Sequence, residues 1–181
     1  MDLADQRSRE CGKYETIYHS DDPYYSEYGR KNHGAGSLDW LLAQKPLSVC
    51  DVGAGYGDFA RMLEEAGVPT VLSVDFAPPN GKVIKASAHD LPFGNNSIEW
   101  LTAFDLLEHL LPDEVDEVLN EFNRVASRGF VFSISYTESN FKVDGEGLHP
   151  TVRSEDWWID TIQRNIGLEV GKWNRYLICV L

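Results

Sequence analysis

A glycine-rich turn between an apolar run and a helical pattern is the feature that most constrains this chain. Residues 47–52 form a short, largely apolar stretch typical of a buried strand, and Gly53, Gly55 and Gly57 follow at alternate positions. Beyond them, apolar residues recur at helical spacing: Phe59, Ala60, Met62, Leu63 and Ala66. Glycine adopts backbone angles with φ > 0 and lets a ligand approach the main chain closely. The pattern predicts a strand, a tight turn and a helix, with a nucleotide-like ligand against the bare backbone of the turn.

Asp51, at the end of the predicted strand, indicates which ligand suits the turn. Dinucleotide folds use G-x-G-x-x-G with a pyrophosphate at the helix start, whereas this turn reads D-x-G-x-G-x-G. A carboxylate repels a pyrophosphate and attracts a cationic amine. The turn resembles motif I of the Rossmann-like (class I) S-adenosylmethionine-dependent methyltransferases, where the acidic residue lies near the methionine end of the cofactor. The alternative is a strand–helix turn that binds no ligand. The resemblance implies these cofactor-binding residues: Asp51, Gly53, Ala54, Gly55 and Gly57.

Composition bounds the class of protein and its partners. The 181 residues are 43% hydrophobic and 25% charged, as expected for one globular domain with a substantial core. A formal net charge of −13 with no offsetting basic patch makes nucleic acid a poor substrate. Cys11, Cys50 and Cys179 show neither metal-ligand spacing nor a disulfide framework. The sequence has no secretory signal and no membrane-spanning apolar run, so we expect a cytoplasmic protein.

Strands and helices alternate along the chain, which predicts a parallel sheet with helices on both faces. Ser37 and Ser154 are the predicted N-caps of the first and last helices. Residues 76–81 contain two prolines and a glycine and should form no helix between strands two and three. With the resemblance, the predicted fold class is α/β: a single-domain Rossmann-like, seven-stranded, mostly parallel sheet whose last strand is antiparallel. Strands are predicted at 47–52, 70–75, 83–86, 98–103, 130–134, 168–170 and 176–180, and helices at 38–43, 57–66, 113–125 and 155–164.

The N-terminal region is set apart by its tyrosines. Residues 1–13 are predicted to be a frayed end, and Pro23 stops any long helix near it. The tyrosines that follow could pack as a cap over the open top of the sheet or close as a lid over a bound ligand, since their rings combine apolar walls with polar tips. We therefore divide the chain into an N-terminal tail and aromatic cap or lid, residues 1–36, and a methyltransferase domain, residues 37–181. The tyrosines are Tyr14, Tyr18, Tyr24, Tyr25 and Tyr28.

Two further segments match the methyltransferase pattern on the adenosine side. Asp75 ends the second predicted strand, 24 residues after Asp51, where an acidic residue accepts hydrogen bonds from both ribose hydroxyls. An ordinary turn aspartate is the alternative. Phe76 could wall the adenine. The segment after strand three resembles the one that holds the adenine, but it carries serine where relatives often carry aspartate. The resemblance then implies that either Ser87 or Asp90 contacts the adenine amino group, and that a backbone N–H of Ala88 or His89 contacts a nitrogen of the ring.

Residues 96–110 resemble a stretch of small-molecule and ubiquinone-pathway methyltransferases. Phe104 and Asp105 follow the fourth predicted strand, at the carboxyl edge where open α/β sheets bind ligands. The resemblance implies that Phe104 contributes to the cofactor site. His109 is either a packed structural histidine or a catalytic base.

Residues 147–158 resemble a segment of phage and bacterial sugar or small-metabolite methyltransferases. His149 lies there in a loop before a predicted helix, where it could deprotonate an acceptor hydroxyl or orient the loop. The candidate catalytic residues are therefore His149, Asp105 and His109, in that order. No clustered histidine–carboxylate ligand set is visible in the sequence, so no metal is expected.

Together these motifs predict an enzyme that transfers a methyl group from S-adenosylmethionine to an oxygen or nitrogen of a small molecule, a sugar or another metabolite, and releases S-adenosylhomocysteine. The alternative is a non-catalytic S-adenosylmethionine-binding or partner subunit of the same fold. A nucleotide-dependent oxidoreductase would need G-x-G-x-x-G, which the chain lacks. We expect a monomer or homodimer, with no membrane partner.

Overall fold

A computed structural model describes residues 3–25, 28 and 33–180. Five helices are α1 (Leu3–His19), α2 (Leu38–Ala43), α3 (Asp58–Glu65), α4 (Val115–Val125) and α5 (Glu155–Ile166). The strands of the main sheet are β1 (Ser48–Val52), β2 (Thr70–Asp75), β3 (Ile84–Lys85), β4 (Ile98–Phe104), β5 (Ala126–Ser133), β8 (Gly171–Trp173) and β9 (Tyr176–Val180). A separate hairpin consists of β6 (Lys142–Val143) and β7 (Glu146–Gly147).

The seven-stranded sheet has the order β3-β2-β1-β4-β5-β9-β8. The first five strands of that order are parallel, and β9 runs antiparallel to both β5 and β8. The predicted fold class, including the antiparallel last strand, is confirmed. After β3 the chain returns to the other side of β1, so the strand order reverses between the neighbouring strands β1 and β4. Ligands of open α/β sheets bind in the crevice beyond such a switch point.

Helices cover both faces of the sheet because successive residues of its central strands are apolar and point to opposite faces. Cys50 and Phe130 face a core completed by α4 and α5, which contribute residues such as Phe122 and Trp158. Val49, Trp100 and Val131 belong to the opposite core. Helices α2 and α3 complete that second core through Leu41, Phe59 and Leu63. Burial on both faces is what parallel strands require.

The connection between β2 and β3 contains no helix, as the prolines predicted. The strand predicted at 168–170 is wrong, because the chain pairs with β9 only from Gly171 to Trp173. Leu168 and Val170 instead pack, half-buried, against the core beside α5. Their alternate spacing therefore reflects packing of an irregular segment against the core and not a hydrogen-bonded ladder.

Two predictions about helix starts also differ from the structure. Ser37 does not cap α2: its hydroxyl donates to the carbonyl of Gly34 at 2.8 Å, within a 3₁₀ turn that runs directly into the helix. The frayed end predicted for residues 1–13 is wrong from residue 3 onward, because α1 is helical there. This helix is held by tertiary contacts, which cannot be predicted from the local sequence. They include buried Tyr14 and Ile17 and an ion pair of Arg7 with Glu114 at 2.5 Å. Among the residues described, no helix is both long and apolar enough to span a membrane.

Candidate functional site

The glycine turn after β1 has the left-handed backbone conformations that its three glycines predict. Gly53, Gly55 and Gly57 all have positive φ, at 73°, 52° and 77°. The N–H groups of Gly53 and Ala54 donate to the carbonyl of Val74 at 2.8 and 3.0 Å, which ties the turn to the end of β2. A side chain at Gly55 would start 3.1 Å from the Tyr18 hydroxyl, so the turn leaves space only for bare backbone.

Asp75 ends β2 and connects the glycine turn to the segment that follows. Its carboxylate accepts from the N–H of Gly55 and from the N–H of Ala77, both at 2.9 Å. Burial raises the pKa of Asp75, and these two N–H donors partly oppose the shift. A carboxylate offers about four acceptor positions, so about two remain for a ligand.

Asp51 is a buried acid at the end of β1. Its Oδ1 accepts from the Thr102 hydroxyl at 2.7 Å. Burial raises the pKa of Asp51 to about 7, although the hydrogen bond from Thr102 acts in the opposite direction. A cationic ligand beside this carboxyl would favour its charged form.

Two cavities lie at the carboxyl edge of the sheet. The first has a volume of about 210 Å³ and the second of about 300 Å³. Because they share lining residues, the two cavities adjoin, and together they form a crevice at the switch point of the sheet. The shared residues are Tyr18, Tyr28, Gly53, Asp105 and His109.

The crevice brings together most of the residues singled out from the sequence. Gly57 and Asp90 line neither cavity: Gly57 begins α3, and Asp90 is exposed behind Ser87, whose carbonyl accepts its N–H at 3.1 Å. The first cavity is lined by Asp75, Phe76, Ser87, Ala88 and His89. The second is lined by Asp51, Ala54, Gly55, Phe104 and His149.

Asp105, His109 and His149 meet where the two cavities join. Asp105 adopts a left-handed backbone conformation, with φ 57°, directly after β4. Its Oδ2 lies 3.9 Å from Nε2 of His109. The rings of His109 and His149 are perpendicular, with centroids 4.6 Å apart. All three predicted catalytic side chains are therefore neighbours, although His149 is forty positions further along the chain than His109.

The charges of this group depend on each other. Burial would raise the pKa of Asp105, but His109 and His33 together hold it well below its usual range. Burial would lower the pKa of His109, but Asp105 and Glu108 raise it. For His149, burial dominates and lowers the pKa. Its Nδ1 donates to the carbonyl of Thr137 at 2.6 Å, so the lone pair of the neutral ring lies on Nε2.

Glu108 is a member of this group that the sequence interpretation missed. It is fully buried, and its Oε1 accepts from the N–H of Ser135 at 2.5 Å. Each of Asp105, Glu108, His109 and His149 offers one ligand atom, and the four atoms lie within 4.8 Å of one another. The prediction that no histidine–carboxylate cluster exists is therefore wrong. The spacing of Asp105, Glu108 and His109, three and four residues apart, was the available signal.

Comparison with known proteins agrees with this geometry. Residues 50–134 match the model of a family described as a methyltransferase domain. No curated protein was found to match the chain.

Solved structures resemble the whole chain. Magnesium protoporphyrin IX methyltransferase from Synechocystis, with bound S-adenosylhomocysteine, is 16% identical and aligns over 96% of this chain and 94% of its own, with a TM-score of 0.64. The 1,6-didemethyltoxoflavin-N1-methyltransferase of Burkholderia thailandensis is 19% identical over 99% and 90%, with a TM-score of 0.63. A putative methyltransferase from Haloferax volcanii, in complex with the Trm112 activator, is 17% identical over 88% and 78%, with a TM-score of 0.61. The match of residues 50–134 to a methyltransferase domain and the fold shared with these structures agree with the resemblance of the motifs to the Rossmann-like, class I S-adenosylmethionine-dependent methyltransferases.

Proposed function

We propose that this chain transfers a methyl group from S-adenosylmethionine to an oxygen or nitrogen of a small molecule. The observation that carries the proposal is the crevice formed by the two adjoining cavities. It joins the Asp51–glycine turn and Asp75, on one side, to Asp105, His109 and His149, on the other.

The first cavity suits the adenosine part of the cofactor. Asp75 has acceptor positions left for the ribose hydroxyls, and Phe76 and Ala88 supply apolar walls for the adenine. Ser87 lines this cavity and Asp90 does not, which favours Ser87 as the side chain beside the adenine amino group. The methionine end then extends along the glycine turn toward Asp51, whose carboxylate attracts the ammonium group.

The second cavity suits the methyl acceptor. An acceptor lone pair forms a bond to the methyl carbon while the carbon–sulfur bond breaks and its electron pair stays on sulfur, which leaves S-adenosylhomocysteine. The sulfonium is a strong electrophile, so alignment and exclusion of water dominate the rate. His149 lines this cavity, and its Nδ1 donates to Thr137, so Nε2 of the neutral ring can take up the proton that a hydroxyl or amine acceptor loses; Asp105 and His109 lie beside it.

The proposed acceptor is small because of the size and charge of the site. The second cavity holds about 300 Å³, at the lower end of the range for small-molecule sites, and the methionine end of the cofactor would occupy the part of it beside Asp51. The net charge of −13 disfavours a nucleic-acid acceptor. Two of the structural relatives are named as methyltransferases of magnesium protoporphyrin IX and of 1,6-didemethyltoxoflavin, both small molecules.

Calorimetric titration with S-adenosylmethionine and S-adenosylhomocysteine tests the proposal. We expect micromolar binding to the natural chain and at least tenfold weaker binding to Asp75→Asn, because hydrogen bonds to a charged group contribute roughly 1.5–3 kcal/mol. Asp160→Asn, on the exposed side of α5, is the matched control and should bind as the natural chain does. No binding to the folded natural chain would overturn the proposal. Binding without transfer of a labelled methyl group to any of a set of hydroxylated and amine metabolites would favour the non-catalytic subunit instead.

A further inference from the structure

We propose that Asp105, Glu108, His109 and His149 form a binding site for one divalent transition-metal ion. Their ligand atoms, two carboxylate oxygens and two imidazole nitrogens, lie within 4.8 Å of one another. The ligands of a four-coordinate ion are about 3.3 Å apart when metal–ligand distances are about 2.0–2.1 Å, so a small contraction of the group would complete the site. The site itself does not depend on the methyltransferase activity.

Two atoms of the cluster are buried without a partner among the residues described. They are Oε2 of Glu108 and Nε2 of His109, whose residues are 0% and 9% exposed. Buried polar atoms are hydrogen-bonded in the great majority of native structures, and one left unsatisfied costs about 1–3 kcal/mol. Both atoms belong to the same four-residue group, so a single bound cation would satisfy both.

Both histidines are oriented as metal ligands are. Nδ1 of His109 lies 2.7 Å from the carbonyl of Leu148, and Nδ1 of His149 lies 2.6 Å from the carbonyl of Thr137. Nδ1 of His109 also lies 2.5 Å from the Tyr14 hydroxyl, whose oxygen can accept from the same N–H. A carbonyl only accepts, so an Nδ1 that bonds to one carries the hydrogen, and the neutral ring then keeps its lone pair on Nε2. Histidine ligands of metals almost always donate their other ring N–H to such a group, which fixes both tautomer and ring orientation.

The charge and the ligand types select the ion. Two carboxylates and two neutral imidazoles carry a formal charge of −2, which a divalent cation neutralises. No described lysine or arginine forms an ion pair with Asp105 or Glu108 to take its place; the neighbouring basic side chain is His33, whose Nε2 lies 3.9 Å from Oδ2 of Asp105. Imidazole nitrogen suits zinc, iron, cobalt or nickel, whereas magnesium and calcium prefer oxygen alone. Zinc, manganese, iron or cobalt in the divalent state fits this mixed set.

The position of the cluster gives the ion access to the crevice. Glu108 and His109 are buried, whereas Asp105 and His149 are half-buried and line the second cavity. An ion held from the protein side would face the space assigned above to the methyl acceptor and could bind its oxygen. Binding of the acceptor by the ion rests on the proposed function. In that case the lone pair of His149 coordinates the metal and does not interact with the acceptor directly.

Titration of the chelator-treated, tag-free protein with Co²⁺ and Zn²⁺ tests the site, with the visible absorption of Co²⁺ and calorimetry as readouts. We expect one equivalent to bind the natural chain, with affinity at least tenfold lower in His149→Ala and in Glu108→Gln. Glutamine keeps an oxygen for the Ser135 N–H, so this second variant should stay folded. His19→Ala, at the exposed end of α1, is the matched control and should bind as the natural chain does.

Absence of stoichiometric binding, or equal affinity in His149→Ala, would overturn the metal site. S-adenosylhomocysteine titrated into the same samples reports on the proposed function separately. Metal binding without S-adenosylhomocysteine binding would support the metal site and overturn the proposed function. S-adenosylhomocysteine binding without metal binding would support the proposed function and overturn the metal site.

Discussion

Asp51 combines deep burial with a position where a cationic group of the cofactor is expected. It is 5% exposed, and burial raises its pKa to about 7, so the carboxyl is half-neutral near neutral pH without a ligand. Its hydrogen bond from Thr102 persists in either state, because Oδ1 is the acceptor. Binding of an ammonium group must therefore draw the carboxyl to its charged form, and the affinity then depends on pH.

We expect the affinity for S-adenosylhomocysteine to fall as the pH is lowered through 7, approaching about tenfold per pH unit below it. The reason is that the neutral carboxyl must first lose a proton to pair with the ammonium. Calorimetry between pH 5.5 and 8 measures this dependence. Asp51→Asn should bind more weakly at pH 8 and show a flat profile over the same range. A slope retained in that variant would assign the titration to another group.

Gly55 is required for its bare backbone as well as for its φ of 52°. Gly55→Ala should lower the free energy of unfolding by about 1 kcal/mol, the cost of a left-handed conformation for a residue with a Cβ. It should also weaken binding of S-adenosylhomocysteine at least tenfold, because the new methyl group lies in the crevice beside the Tyr18 hydroxyl. Denaturant unfolding and calorimetry separate the two effects.

Gly67 supplies the matched control for that substitution. Its φ is 84°, and nothing lies within 4 Å of a Cβ placed there. Gly67→Ala should therefore carry a similar loss of stability and leave ligand affinity unchanged. Equal loss of affinity in both variants would mean that strain in the fold, and not the approach of the ligand, limits binding.

Helix α5 begins at a side-chain cap that the sequence predicted. The Ser154 hydroxyl accepts from the N–H of Trp157 at 3.3 Å, and Ser154 has the extended backbone typical of an N-cap. Ser154→Ala should lower the free energy of unfolding by about 1 kcal/mol, whereas Ser154→Asp should retain most of it. Urea unfolding of the three chains measures the difference. An aspartate as costly as alanine would show that the cap does not stabilise the helix.

Elements with a strong local signal were predicted well. Strands β2 and β9 have the predicted bounds, and α5 begins at the predicted residue, because a short apolar run or a serine cap is encoded by a few adjacent residues. Ser37 carries the same local signal as Ser154, yet its hydroxyl turns to Gly34, since a preceding 3₁₀ turn already leads into the helix. The sequence therefore shows that a serine can cap a helix, but not whether the preceding backbone lets its hydroxyl accept from the first N–H groups of the helix.

The sequence predicted the part of the candidate site that neighbouring strand ends bring together. Asp51 and Asp75 lie at the ends of neighbouring parallel strands, so their proximity could be inferred. The cluster of Asp105, Glu108, His109 and His149 depends on a tertiary contact: the Thr151 hydroxyl donates to the carbonyl of Leu110 at 2.6 Å, which holds the loop of His149 against the turn after β4. No spacing within the chain encodes that contact.

At the scale of the whole molecule, the N-terminal helix α1 forms one wall of the crevice. Tyr14 and Tyr18 of α1 and Tyr28 line the first cavity, and the Tyr14 ring packs edge-on against Phe76, 5.5 Å between centroids. Contacts at the edges of α1 are polar and exposed, as in the pair of Lys85 with Glu15 at 3.1 Å. Exposed ion pairs contribute little to stability, so this helix is held mainly by its buried side chains and by the pair of Arg7 with the buried carboxylate of Glu114.

We therefore expect S-adenosylhomocysteine to order α1 together with the glycine turn. Amide hydrogen exchange should slow on ligand binding in residues 10–19 as well as in 53–58, because the ligand would fill the space beneath Tyr14 and Tyr18. Tyr14→Ala removes the ring that contacts Phe76 and His109, and it should reduce the protection of α1 more than that of the turn. Protection confined to 53–58 in the natural chain would mean that α1 is a fixed cap, packed over the sheet whether or not the cofactor is bound.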